Sequence, residues 1–232
     1  MTRQVRIHED PTAVARAAAD EFVRRRPRTI ALAGGSTPKA LYALLAGAAL
    51  PWSEMHFFWS DERLVPPGDP ESNYRMAHEA LLSRVPVPAA NVHRVRTELP
   101  DDEAARAYEL DIRDHLGPQT RFDLILLGLG PDAHTASLFP GSPALRERAR
   151  LIAPVVASKP PPRRVTFTPP LLNAAASILF LACGAEKSEA LKGVLEGPRD
   201  PDRYPAQAVA PADGEVLWLI DRAAAGRLER TP

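Results

Sequence analysis

The chain has 232 residues, enough to bury a sizeable core, and its 45% hydrophobic and 25% charged composition is that of an ordinary globular protein. Lys plus Arg and Asp plus Glu number 29 each, so the positive excess that tracks nucleic acid is missing, although a local anion site needs only a few cations. A single cysteine, Cys183 in an apolar run, rules out an intrachain disulfide scaffold or a cysteine-rich zinc site. The first ten residues are polar and charged, unlike a secretory leader, and no apolar run has the length of a membrane span. The expectation is a cytoplasmic protein without nucleic-acid or membrane partners; the sequence leaves its oligomeric state open.

In chain order, residues 11–26 read as a helix and 29–33 as a short β-prone run ending in Gly34-Gly35. Thr37 suits the N-cap of a second helix, with Pro38 at its first position and Gly47 near its end. Residues 56–59 read as a strand followed by a proline-rich loop, one of several rigid turns among the 25 prolines. Residues 74–83 and 101–116 read as helices. The uninterrupted apolar run 122–127 suits a strand buried on both faces. Further strands are expected at 165–168, 178–182 and 216–220, with a helix at 185–195 between the last two. Strands alternating with helices imply an α/β fold: a mostly parallel sheet with helices on both faces, read as one domain over residues 1–232. Ligands of such folds bind beyond the carboxyl ends of the strands.

Three of those ends carry chemistry. Gly34-Gly35-Ser36-Thr37 opens a helix, and its glycines, hydroxyls and free amides suit a phosphate cradle or simply a capped turn. It lacks the P-loop spacing. Ser60-Asp61-Glu62-Arg63 is either a solvated loop or a site in which Arg63 grips phosphate oxygens and Asp61 holds a hydroxyl or orients a neighbour. Ser72-Asn73-Tyr74 would close that loop and cap the next helix. Gly128-Leu129-Gly130-Pro131-Asp132-Ala133-His134 mimics a dinucleotide fingerprint, but Pro140 cuts any following helix short and no acid stands at 151–162 to bind a ribose. His134 lies on this glycine-flanked loop two residues after Asp132, and imidazoles as a class exchange protons near neutral pH. Lys187 and Arg164 are further candidate cations for phosphate. His8, His56, His78, His93 and His115 read as structural; no pair has metal-ligand spacing, so neither a metal nor another cofactor is expected.

Together these segments resemble the 6-phosphogluconolactonase family. The resemblance rests on 33–38, on Asp61-Glu62-Arg63 with Val65-Pro66 and Ser72-Asn73-Tyr74, and on 128–140. Arg164-Val165-Thr166, Leu172-Asn173 and Gly184 with Lys187 extend it, in the family's order and over most of the chain. It implies a three-layer, Rossmann-like fold of the sugar-phosphate isomerase and deaminase type. The implied activity is hydrolysis of 6-phosphoglucono-1,5-lactone in the oxidative pentose phosphate route, with that lactone as the small-molecule partner. It places the catalytic histidine on His134, acidic and cationic site residues on Asp61 and Arg63, and phosphate contacts on Gly35, Ser36, Thr37, Arg164 and Lys187. Gly128, Gly130 and Asp132 would support the loop.

The family's usual Asp-Gly-His is here Asp132-Ala133-His134. If that position needs a positive φ, alanine costs roughly 1 kcal/mol; if not, the change is harmless. The expected chemistry is proton abstraction by His134 from a water attacking C1, then protonation of the ring oxygen, with amides near Gly130 facing the oxyanion. One rival is an amino-sugar-phosphate deaminase–isomerase of the same fold, which carries a glutamate where this chain has Phe139. The other is a non-catalytic sugar-phosphate-binding regulator, which a neutral chain without room for a DNA-binding segment fits poorly.

Overall fold

The computed structural model describes residues 2–229. The strands are β1 (Thr2–His8), β2 (Thr29–Leu32), β3 (His56–Trp59), β4 (Asp61–Arg63), β5 (Leu124–Gly128), β6 (Ile152–Val156), β7 (Arg163–Phe167), β8 (Ser177–Ala182) and β9 (Glu215–Asp221). The helices are α1 (Pro11–Arg25), α2 (Ser36–Leu45), α3 (Asn73–Ala80), α4 (Asp101–Leu116), α5 (Pro169–Ala174), α6 (Ser188–Leu195) and α7 (Arg222–Ala225). Six strands form a wholly parallel sheet in the order β1-β9-β8-β5-β2-β3. A second, antiparallel sheet has the order β4-β7-β6. The α/β expectation holds. The segment at 165–168 belongs to the second sheet, and β1, β4 and β6 were not foreseen.

The central strands alternate their side chains between two cores, as period-two geometry requires. Leu124 and Leu126 of β5, with Leu179, Leu181, Leu217 and Leu219, pack with Val14, Ala18 and Phe22 of α1 and Leu41 and Leu45 of α2. Ile125, Leu127, Phe180 and Trp218 face the other way, against Tyr108 and Ile112 of α4, Leu191 of α6 and the second sheet. Burying both faces explains the unbroken apolar runs. Each fully buried large side chain stabilises the fold by roughly 1.5–3 kcal/mol. The Phe180 and Trp218 rings stack at 3.8 Å.

α1 shows how local signals set an element. The Asp10 carboxylate accepts the Ala13 N–H at 2.8 Å, Pro11 opens the helix, and Arg26 ends it at φ 46°. On its surface Glu21 is gripped by Arg6 at 2.7 Å, Arg24 at 2.5 Å and Arg25 at 3.2 Å. Burial works to raise the Glu21 carboxyl, but bonds to Arg24 and Arg6 and the charges of Arg24 and Arg25 carry it from 4.5 down to about 2. A carboxylate depressed in the folded state stabilises the fold above its unfolded value and loses that contribution as pH falls through its folded value. Because Arg6 and Arg24 are well exposed, solvent screening reduces the expected contribution to about 1–2 kcal/mol. Glu21→Gln should therefore lower the urea midpoint at pH 7, and its difference from wild type should shrink as pH falls from 4.5 towards 2. A pH-independent difference would assign the loss to packing instead of charge.

Candidate active site

Chain order reverses between β2 and β5, since β3 lies beyond β2 while β8, β9 and β1 lie beyond β5. Parallel sheets leave a crevice at such a point, beyond the carboxyl ends of their strands. A cavity of about 200 Å³ lies there. Gly34 and Gly35 line it from the end of β2, and Gly130 and His134 from the end of β5. Asp61 and Arg63 of β4, Arg164 of β7 and Lys187 complete its wall. Two buried tyrosines fasten the strands below it. The Tyr42 hydroxyl accepts the Ala33 N–H at 2.9 Å and donates to the Ala33 carbonyl at 2.8 Å. The Tyr108 hydroxyl does the same for Trp59, at 2.6 and 3.1 Å.

The His134 loop is folded tightly on itself. The Gly130 N–H donates to the His134 carbonyl at 2.8 Å, and the Ala133 N–H to the Gly130 carbonyl at 3.0 Å. The Thr135 hydroxyl donates to the Gly128 carbonyl at 2.9 Å. Asp132 holds His134 Nδ1 by a short hydrogen bond. Burial opposes the charge on Asp132, yet this bond and the charge of His134 carry its carboxyl below the usual range. An ionised acceptor at Nδ1 fixes the tautomer that leaves the Nε2 lone pair free. No helix follows, only turns and a one-residue bridge between Thr135 and Leu138. The Gly130 amide is thus engaged by the His134 carbonyl, so among the amides of this loop its own is not free to face an oxyanion.

Close approach explains two of the glycines. A Cβ on Gly130 would stand 1.9 Å from His134 Nδ1, and one on Gly34 2.1 Å from Asn73 Oδ1. Gly128 has open space where a Cβ would go, so the loop does not need a glycine there. Ala133 is buried at φ 63°, the left-handed region that favours glycine. Ala133→Gly is expected to raise stability by about 0.5–1 kcal/mol in urea denaturation, relief of strain outweighing the added freedom of the unfolded chain. A loss would mean that packing of the buried methyl dominates.

Asp61 is buried below the cavity. Its Oδ2 accepts the Ser137 hydroxyl at 2.7 Å, and its backbone carbonyl accepts Asn73 Nδ2 at 3.0 Å, with Oδ1 at 3.4 Å from the same amide. Glu62 points the other way and ties β4 to α3. It accepts N–H groups of Arg63, Asn73 and Tyr74 at 2.7–2.8 Å and the Ser72 hydroxyl at 3.1 Å. Burial pushes the Glu62 carboxyl up to about 7 against the pull of those donors. This charged triplet is thus a strand rather than a solvated loop. The sequence reads Asn73 only as part of the segment closing this loop and assigns Ser137 no role; their bonds to Asp61 come from a fold that joins positions 12 and 76 residues apart.

The β4–β7 register sets Arg63 directly opposite Arg164, a like-charge pair that is unfavourable without an anion nearby. The Arg63 guanidinium donates to the Glu71 carbonyl at 2.6 Å, while its buried Nε has no hydrogen-bond partner among the described residues. Arg164 is buried, donates to the Pro161 carbonyl at 3.0 Å and lies 5.5 Å over the Phe139 ring. Burial lowers its pKa, Asp61 opposes that shift and Arg63 adds to it. Phe139 also meets the His134 ring at 4.8 Å, so one aromatic ring touches both the imidazole and the Arg164 guanidinium.

Ser36 and Thr37 are not among the residues that line this cavity, although Gly35 beside them is; they line a separate, largely apolar groove with Cys183 and Gly184. Thr37 is not the N-cap either: Gly35, at φ 107°, takes that place, and Ser36 is already helical. With Gly35 as N-cap the helix starts at Ser36, two residues earlier than the Pro38 start expected from the sequence. Cys183 is half-buried, and burial pushes its thiol up to about 11.

The family model for glucosamine-6-phosphate isomerases/6-phosphogluconolactonase matches residues 4–218. A 6-phosphogluconolactonase of Synechocystis sp. is 44% identical over 98% of this chain and 96% of its own. The solved structure of 6-phosphogluconolactonase from Trypanosoma cruzi superposes with a TM-score of 0.90 at 32% identity, covering 99% of each chain. A monomeric glucosamine-6-phosphate deaminase of the NagB superfamily superposes with a TM-score of 0.79 at 23% identity over 96% of this chain and 99% of its own, a likeness of fold alone. With a matching family model over nearly its whole length and a relative of this identity, the chain belongs to the 6-phosphogluconolactonase family.

Proposed function

We propose that the chain hydrolyses 6-phospho-D-glucono-1,5-lactone to 6-phospho-D-gluconate in the oxidative pentose phosphate pathway. The observation that carries this reading is the pairing, in one cavity, of an Asp132-anchored His134 with Arg63, Arg164 and Lys187. The cations hold the phosphate and so bring the lactone carbonyl towards His134, using binding energy remote from the reacting bond. His134 Nε2 takes a proton from the water that attacks C1. The tetrahedral intermediate collapses, the C1–ring-oxygen bond breaks, and the imidazolium returns its proton to the departing oxygen. Asp61, engaged by Ser137 and Asn73, acts as a positioning residue at the cavity floor. Phe139 offers no proton, which favours this reaction over the deaminase–isomerase rival.

The test is hydrolysis of freshly generated 6-phosphogluconolactone, followed by a coupled dehydrogenase, with unphosphorylated gluconolactone alongside. A rate well above the spontaneous one and a strong preference for the phosphorylated lactone are expected. A rate equal to background defeats the proposal, and turnover of glucosamine 6-phosphate instead would favour the rival.

A further inference from the structure

Three histidines read as structural in the sequence meet at one point. His56 opens β3, His93 follows the short 3-10 turn Ala89–Asn91, and His115 lies in the last turn of α4. One ring nitrogen of each lies within 4.8 Å of the other two. Residues 37 and 22 apart in the chain carry no recognisable ligand spacing, so only the fold reveals them. The cluster sits at the amino end of β3, whereas the catalytic cavity lies beyond the carboxyl ends of the strands.

We propose that His56, His93 and His115 form a binding site for a borderline divalent transition-metal ion, of which Zn²⁺ is the representative. Their hydrogen bonds already orient the rings for it. The two carboxylate oxygens of Asp111 lie 3.2 and 3.3 Å from His93 Nδ1, which donates to them and leaves Nε2 with its lone pair. The Asp111 backbone carbonyl is 3.2 Å from His115 Nδ1 and leaves the Nε2 of that ring free in the same way. A carboxylate behind a ligating imidazole is the usual outer support of a metal site.

His56 Nδ1 is 3.1 Å from His93 Nε2. A tetrahedral ion with bonds of about 2.0–2.1 Å separates its ligand nitrogens by about 3.3 Å, so this pair is already close to the required spacing. His115 is partly exposed and closes the remaining gap by a small ring movement, leaving the fourth position to water. When the ion replaces the proton between His56 and His93, that proton moves to His56 Nε2 and the ring changes tautomer. The Phe58 ring stacks on His93 at 4.2 Å and fixes its plane. An all-imidazole donor set selects zinc, copper or nickel over magnesium and calcium.

Isothermal titration of Zn²⁺ into chelator-treated protein tests the site, using wild type, His115→Ala and His134→Ala. Wild type should bind one equivalent with a Kd below about 10 µM. His115→Ala should bind at least ~30-fold more weakly, and His134→Ala as wild type does. Saturating Zn²⁺ should raise the Tm of wild type by roughly 5–10 °C and leave that of His115→Ala nearly unmoved, with Mg²⁺ inert for both. His115 is at the surface, so its variant should fold, and an unchanged Tm without metal verifies this. Binding that survives His115→Ala, binding that disappears with His134→Ala, or no saturable binding in wild type would each overturn the proposal.

Discussion

His134→Ala is expected to lower kcat for lactone hydrolysis at least ~100-fold while the fold and the substrate KM stay close to wild type. The ring is the one group in the cavity with an ionised carboxylate fixing its tautomer, and it touches the core chiefly through Phe139. Truncation therefore removes the proton shuttle without removing a structural support. Asp132→Asn should follow at a smaller loss, because an amide in that place no longer forces the Nδ1–H tautomer. If His134→Ala retains nearly full kcat, the proton is moved by another group, and Asp61, the remaining acid lining the cavity, becomes the candidate.

Gly130→Ala should damage turnover on a similar scale, roughly 100-fold, for a steric reason. The new Cβ would lie 1.9 Å from His134 Nδ1 and 2.6 Å from Asp132 Oδ1, so the base and its anchor must both move. A displacement of about 1 Å at a reacting group costs on the order of 10² in rate. Gly128→Ala supplies the internal control, since nothing stands within 4 Å of the added methyl. Steady-state kinetics on the pair separates the two explanations: equal loss in both variants would mean general loop softening, and loss in Gly130→Ala alone would mean a displaced base.

What the chain made legible follows burial. β5, β8 and β9 are buried on both faces, so their apolar runs stand out against the flanking charge and glycine. β1 is an edge strand in which Arg3, Gln4, Arg6 and His8 outnumber the apolar Val5 and Ile7, which reads as a polar terminus until its partner β9 is known. β4 is three charged residues whose strand character comes entirely from pairing with β7. β6 carries Pro154 in the middle of five residues, which argues against a strand when read alone. At the site, Asp61, Arg63, His134 and Lys187 are legible because they stand in short motifs just beyond strand ends, and Arg164 because it opens an Arg-Val-Thr motif in β7. Ser36 and Thr37 belong to the same motif as Gly35, but the residues lining the cavity stop at Gly35, where the chain turns at positive φ into the helix. Asn73 and Ser137 hydrogen-bond to Asp61, and a contact across 76 residues leaves no trace in local pattern.

The two tyrosines beneath the cavity have a consequence for motion. Each phenol serves both the amide and the carbonyl of one residue, as a neighbouring strand would, at the point where the sheet stops and the functional loops start. Burial holds both phenols above their ordinary pKa, which keeps each one a donor as well as an acceptor. The amides of Ala33 and Trp59 should therefore resist deuterium exchange as long as the central strands do, opening only when the sheet itself opens. The loops that hold the base and the cations then spring from fixed ground, and their breathing stops one residue short of the core.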